Sequence, residues 1–121
     1  MRISKLGLTL GLTTLLAGCL QAGPRCPPRF DVRVRLPGAT PEEVERVLVE
    51  PLEQAMKSAP ELAQIQSTAT AELALLTLEF EPRANEDAAL IWIREALERV
   101  QPVLPTDAAH PLLTRARGTC E

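Results

Sequence analysis

Three cysteines are the most reactive side chains in this sequence: Cys19, Cys26 and Cys120. A thiol can be acylated, oxidised to a disulfide or held on a metal. The metal reading fails on spacing, because no histidine or second cysteine stands at ligand distance along the chain. The single histidine, His110, lies in Asp107-Ala108-Ala109-His110-Pro111. An Asp–His pair could move a proton, but this one sits in a proline-bounded loop with no nucleophile beside it, so it reads as surface. Ser67 and Thr68 fall mid-strand among apolar neighbours, without a base or an oxyanion site to activate them. The glutamate pairs lie on helices and read as solvated faces or dipole partners. Gly38 is a single turn residue, not a phosphate loop. These residues predict a non-enzymatic protein with no cofactor and no metal.

Cys19 has a more specific context. Arg2 and Lys5 form a short basic start, and Leu6 to Leu16 is an apolar run of 11 residues broken only by Gly and Thr. The layout is that of a secretory signal, and the run is too short for a membrane span. It closes on Leu16-Ala17-Gly18-Cys19, which resembles the lipobox of bacterial lipoproteins, where the thiol is acylated and becomes the first mature residue. The resemblance implies a lipoprotein signal over 1–18, lipidation at Cys19 and a lipid-anchored position in the cell envelope facing the periplasm. Leu20 after the cysteine resembles an outer-membrane address. An ordinary signal peptide, or a decayed transmembrane helix, are the competing readings.

Loss of 1–18 moves the formal net charge from −3 to −5, since it removes Arg2 and Lys5 and no acid. An acidic chain lacks the basic footprint of a nucleic-acid binder. Aromatic content of 2% with no Tyr gives no stacking platform for bases or sugars. Residues 19–28 are Gly- and Pro-bearing and read as an extended tether to a domain at 29–119. In an exported chain the two remaining thiols are free to pair, so a Cys26–Cys120 disulfide is expected, with two free thiols as the alternative.

The elements that hold these residues follow from periodicity. Phe30, Val32, Val34 and Leu36 alternate with Asp31, Arg33 and Arg35, a half-buried strand. Pro37-Gly38 suits the centre of a type II turn. Thr40 then suits an N-cap, Pro41 the first helical position and Glu43 the partner that completes a capping box. From Thr40 to about Ser58 the positions Val44, Val47, Leu48, Leu52, Ala55 and Met56 form a helical apolar stripe. Pro51 should kink that helix. Leu62–Thr70 is a weaker strand with Ala63, Ile65, Ser67 and Ala69 inward. Leu73–Glu81 is a stronger one with Ala74, Leu76, Leu78 and Phe80 inward, and a short link makes the two a hairpin. Asn85 caps a second helix, 86–101, and Leu112–Arg117 is a last short strand. Strand-helix-strand-strand-helix-strand predicts an α+β, ferredoxin-like βαββαβ fold, a four-stranded antiparallel sheet in order 4-1-3-2 with two helices on one face. That order brings the start of the first strand to the end of the last, so Cys26 and Cys120 meet at one edge.

Four segments carry a family resemblance: Leu36-Pro37-Gly38-Ala39-Thr40-Pro41-Glu42-Glu43-Val44-Glu45, Glu50-Pro51-Leu52-Glu53-Gln54-Ala55, Ile65-Gln66-Ser67-Thr68 and Leu78-Glu79-Phe80-Glu81. In order and spacing, 30–104 resembles the first periplasmic porter subdomain of resistance-nodulation-division (RND) efflux transporters. The resemblance implies the fold derived above and a role near transmembrane transport. It implies no pumping, because the family's proton relay lies in membrane helices that have no counterpart here. Glu72 stands where the family has a glycine between the second and third strands.

Two surfaces are candidates for a partner. Arg33 and Arg35 on the first strand and Arg115 and Arg117 on the last are expected side by side on the outer sheet face, with Glu79 and Glu81 flanking the first strand; cross-strand charge pairing is the plainer reading. Ile91 falls on the same helix face as Asp87, Arg94, Glu95 and Glu98. An RND transporter or its adaptor is the partner implied. The alternatives are a stand-alone periplasmic ligand-binding module on the open sheet face, though that face reads as too polar for an apolar pocket, or a detached transporter fragment without retained activity.

Overall fold

The structure, a computed structural model, describes residues 26–116. Its local geometry starts at the proline-glycine turn. The Ala39 N–H donates to the Leu36 carbonyl at 3.2 Å, and Gly38 takes φ +79°, as the third residue of a type II turn must. Space is not the reason for glycine, since a Cβ there would meet nothing within 4 Å. Backbone conformation is. Thr40 follows as N-cap: its Oγ1 accepts from the Glu43 N–H at 3.2 Å, and Glu43 Oε1 accepts from the Thr40 N–H at 3.2 Å. The expected capping box is complete, with Pro41 at the first helical position.

Strand β1 spans Arg29–Arg35, and helix α1 runs continuously over 41–56. Strands β2 (Leu62–Thr70) and β3 (Leu73–Phe80), helix α2 (Glu86–Val100), a 3₁₀ turn (Gln101–Val103) and strand β4 (Leu112–Ala116) follow. The sheet order is β2-β3-β1-β4, all neighbours antiparallel. With two helices this is the ferredoxin-like α+β fold. β1 lies in the interior of the sheet, and Phe30, Val32 and Val34 are wholly buried. Against them pack Leu48, Leu52 and Met56 of α1 and Ile93 and Ala96 of α2. Phe30 and Phe80 meet edge to face, with ring centroids 5.8 Å apart. No polar or charged residue is buried among the described residues.

Pro51 disturbs helix α1 by widening a turn, and the expected stripe changes with it. Pro41–Val44 and Glu50–Met56 are α-helical, but Glu45–Val49 between them is a π turn. Pro51 has no N–H to give to Val47, and its ring would press on that carbonyl. The turn ahead of it widens instead, and the Glu50 N–H reaches back five residues to the Glu45 carbonyl. A π turn adds a residue to the register. The apolar stripe therefore changes phase: Val49 is fully buried, while Val47 and Ala55, expected inside, are only half-buried.

β2 differs at its start. Leu62 pairs with Phe80 and Gln64 with Glu79, which leaves Ala63 in a bulge. Leu62 is thus half-buried where Ala63 was expected inward, and Ala63 is exposed. Beyond the bulge Ile65, Ser67 and Ala69 keep the expected side. Because β2 is an edge strand, Ser67 is exposed, and its Oγ donates to Glu53 Oε2 on α1 at 2.5 Å.

The hairpin between β2 and β3 forms despite the missing glycine. Glu72 itself adopts φ +65°. That conformation costs a non-glycine residue about 1–2 kcal/mol. It persists because the hairpin tip is tied to the turn after β1: the Glu72 N–H donates to the Ala39 carbonyl at 3.1 Å, and the Leu36 N–H donates to the Glu72 carbonyl at 3.0 Å.

Two substitutions test this account by urea unfolding. Glu72→Gly should raise stability by up to about 1 kcal/mol, the left-handed strain being relieved against some gain in unfolded-state entropy. Thr40→Ala should lower it by about 1 kcal/mol through loss of the cap. A neutral Thr40→Ala, or a Glu72→Gly that destabilises, would contradict it.

Candidate interaction surface

The sheet face away from the helices carries the expected arginines, but the register divides it into two unlike halves. In one half every charge is engaged. Arg29 pairs with Glu79 at 3.0 Å, and Asp31 Oδ1 accepts from Thr77 Oγ1 at 2.9 Å. Glu79 flanks the first strand as expected, and the register sets it opposite Arg29.

The other half is apolar and cationic. Arg33 lies opposite Leu75 on β3 and Leu112 on β4, and Arg35 lies opposite Leu73. Neither guanidinium has an ion pair or a side-chain hydrogen bond among the described residues. Leu112 is 57% exposed. The loop after α2 walls this half, because the Ala109 N–H donates to the Arg35 carbonyl at 2.9 Å. The result is a hollow of about 260 Å³ lined by Arg33, Arg35, Leu73, Ala109, His110 and Leu112.

Sequence reasoning judged this face too polar and missed its leucines. The signal was present in Leu73-Ala74-Leu75-Leu76, which is apolar at both parities. Such a run belongs to a strand apolar on both sides of its sheet. Only the second half of β3, Thr77-Leu78-Glu79-Phe80, alternates.

Arg115 does not join Arg33 and Arg35. It pairs with Phe30 across β1 and β4, and directly paired residues share a face, so it lies on the helix side. There its guanidinium reaches the first turn of α2: Nη1 to Glu86 Oε1 at 3.0 Å and Nη2 to Asp87 Oδ1 at 3.1 Å. Among the described residues the expected arginine face is therefore corrected to Arg33 and Arg35 with leucines, Arg115 lying on the other side. Arg117, Cys19 and Cys120 lie outside the described residues.

Ile91 is 56% exposed on α2, on the face the periodicity gave it. A separate shallow cleft of about 680 Å³ lies between α1 and the end of α2, lined in part by Arg46, Glu50, Pro51, Glu53, Arg99 and Val103. It carries both signs of charge, and the Arg99 guanidinium already sits 5.7 Å from the centre of the Trp92 ring. His110 and Asp107 are not brought together. The His110 Nδ1 lies 3.5 Å from Gln101 Nε2, and Asp107 accepts from Thr106 at 3.3 Å.

A βαββαβ sheet of this order defines a small ferredoxin-like α+β domain, and no helix among the described residues is long and apolar enough to cross a membrane. Over residues 9–119 the chain matches the AcrB/AcrD/AcrF family, and it belongs to that family of RND transporters. It is 31% identical over 88 residues to the swarming motility protein SwrC of Bacillus subtilis (strain 168). That match covers 73% of this chain and 8% of SwrC, so the chain spans a small part of its relative.

Removal of Arg115 tests its assignment as a fold contact. Arg115 and Glu86 are about half exposed and Asp87 is mostly exposed, so Arg115→Ala should cost less than about 1 kcal/mol. The cost should shrink in about 0.5 M salt, where screening acts within a few Å. A cost independent of salt would contradict the pairing.

Proposed function

We propose that this chain is a non-enzymatic envelope lipoprotein whose domain corresponds to the first porter subdomain of RND transporters and acts by docking on an efflux assembly. The observation that carries the reading is the family match over a complete ferredoxin-like unit, on a chain spanning 8% of its transporter-family relative. A unit of one sheet and two helices leaves an outer sheet face and the solvent side of each helix as surfaces for a partner. The unpaired Arg33 and Arg35 and the exposed Ile91 are the docking residues proposed. Acylation at Cys19 would hold the domain at the membrane facing the periplasm, with the outer membrane favoured by Leu20.

A Cys26–Cys120 disulfide belongs to the same proposal. It is supported by the antiparallel β1–β4 register, in which Arg29 faces Ala116, because Cys26 precedes one and Cys120 follows the other by only three or four residues. Closing a loop that long is worth about 4–5 kcal/mol as an upper figure.

One observation favours a second reading of the N-terminus. The family match begins at residue 9, inside the apolar run. That run would then be a shortened counterpart of the membrane segment preceding the porter subdomain, and Cys19 would not be lipidated.

Three measurements separate these possibilities. Cells fed labelled palmitate should label the wild type and not Cys19→Ser; no label in the wild type favours the second reading. Non-reducing mass analysis should show Cys26 and Cys120 protected from alkylation, and alkylation of both would remove the disulfide. In-cell crosslinking followed by purification should recover an inner-membrane transporter or its periplasmic adaptor. Arg33→Glu or Ile91→Asp should cut that recovery about tenfold, some 1.4 kcal/mol. Recovery of the chain alone at native expression would sink the docking reading.

A further inference from the structure

The hollow on the outer sheet face has a composition that specifies a ligand. Arg33 and Arg35 stand two residues apart on one strand, about 7 Å between their Cα atoms, and both guanidiniums are unpaired among the described residues. The nearest acid on the same strand face, Asp31, is held by Thr77, and among the described residues no acidic side chain lines the hollow. Leu73, Leu112 and Ala109 supply the apolar wall. His110 is the remaining lining residue. If the Gln101 amide donates to its Nδ1, the ring keeps its proton on Nε2 as one more donor.

Two forked cations beside an aliphatic wall, with no anion among them, complement a molecule with an anionic head and an apolar tail. Arginine presents its donors in a plane that fits a carboxylate with two parallel hydrogen bonds. A water molecule takes about 30 Å³ in the liquid, and a methylene group is of similar size. A hollow of about 260 Å³ therefore holds roughly nine heavy atoms at that density. A phospholipid is far too large, and inorganic phosphate would leave the leucines uncovered.

We propose that this hollow binds a small anionic amphiphile, a monocarboxylate on an aliphatic chain of about six to eight carbons. The carboxylate sits between Arg33 and Arg35, and the tail lies along Leu73 and Leu112. The site needs no partner protein.

The test uses the full chain in non-ionic detergent micelles, with leucine methyl and arginine side-chain NMR signals as the readout and empty micelles as the reference for free ligand. Octanoate should shift Leu73, Leu112, Arg33 and Arg35 signals saturably, with a dissociation constant on the order of 1 mM or below. Octanol, with the same tail and no charge, should bind at least tenfold more weakly, and so should inorganic phosphate. The double variant Arg33→Glu/Arg35→Glu should lose binding by at least tenfold, with circular dichroism showing the fold retained. Leu112→Asp, which sets an acid opposite Arg33 and takes away part of the apolar wall, gives an independent second loss. Equal binding of octanol, binding unchanged in either variant, or shifts confined to other residues would each overturn the proposal. A chain that captures a transporter yet ignores octanoate would sink this inference and leave the docking reading standing. The reverse result would do the opposite.

Discussion

Two backbone hydrogen bonds at one end of the sheet fix the register on which the rest depends. They tie Glu72 at the β2–β3 tip to Leu36 and Ala39 at the end of β1. The chain leaves β1, turns at Pro37-Gly38 and enters α1 within a few residues, so the same contact locates strand, turn, helix and hairpin together. Side chains on a strand alternate with period two, and a slip of one residue between β1 and β3 would exchange the faces of a whole strand. With the clamp in place, Phe30, Val32 and Val34 face the helices, while Arg29, Asp31, Arg33 and Arg35 face away. A non-glycine residue in the left-handed region is tolerated at the tip because both its N–H and its carbonyl are used there.

The register also explains why the outer face is divided. Opposite Arg29 it places Glu79, so that cation is satisfied. Opposite Arg33 and Arg35 it places Leu75 and Leu73, so those cations are not. Charge at one end is consumed by the fold, and charge at the other end remains available for recognition. Arg115 belongs to the consumed set: from the opposite face of β4 it pairs with two acids in the first turn of α2. Family membership fits this division of labour. Among the described residues no polar group is buried, so the unpaired charge of the domain lies on its surface.

Much of the fold was legible from alternation, turn chemistry and capping. Thr40 and Glu43 signalled a capping box, and Asn85 signalled the start of α2, where it accepts from the Ala88 N–H at 2.9 Å. Both are local: the donor and the acceptor lie three residues apart. The π turn was not legible, since Pro51 announced a disturbance of α1 without saying whether the helix would bend or widen. The bulge at Ala63 was hidden because β2 is polar on both faces and gives no strong parity. The apolar half of the outer face was readable in Leu73-Ala74-Leu75-Leu76 but was masked by the charged alternation of β1.

The sequence by itself determined which segments are strands and helices, their order, the turn and the caps, because each depends on residues within one or two turns of chain. It also narrowed the architecture to a ferredoxin-like sheet, since few topologies satisfy that element order. Only the tertiary structure decided which side chains meet across strands. Arg33 beside Leu112, Arg115 beside Glu86 and Glu79 beside Arg29 are separated by 29 to 79 residues. Nothing local encodes such a pairing. It follows from register, and register is set by the cooperative packing of the whole buried face.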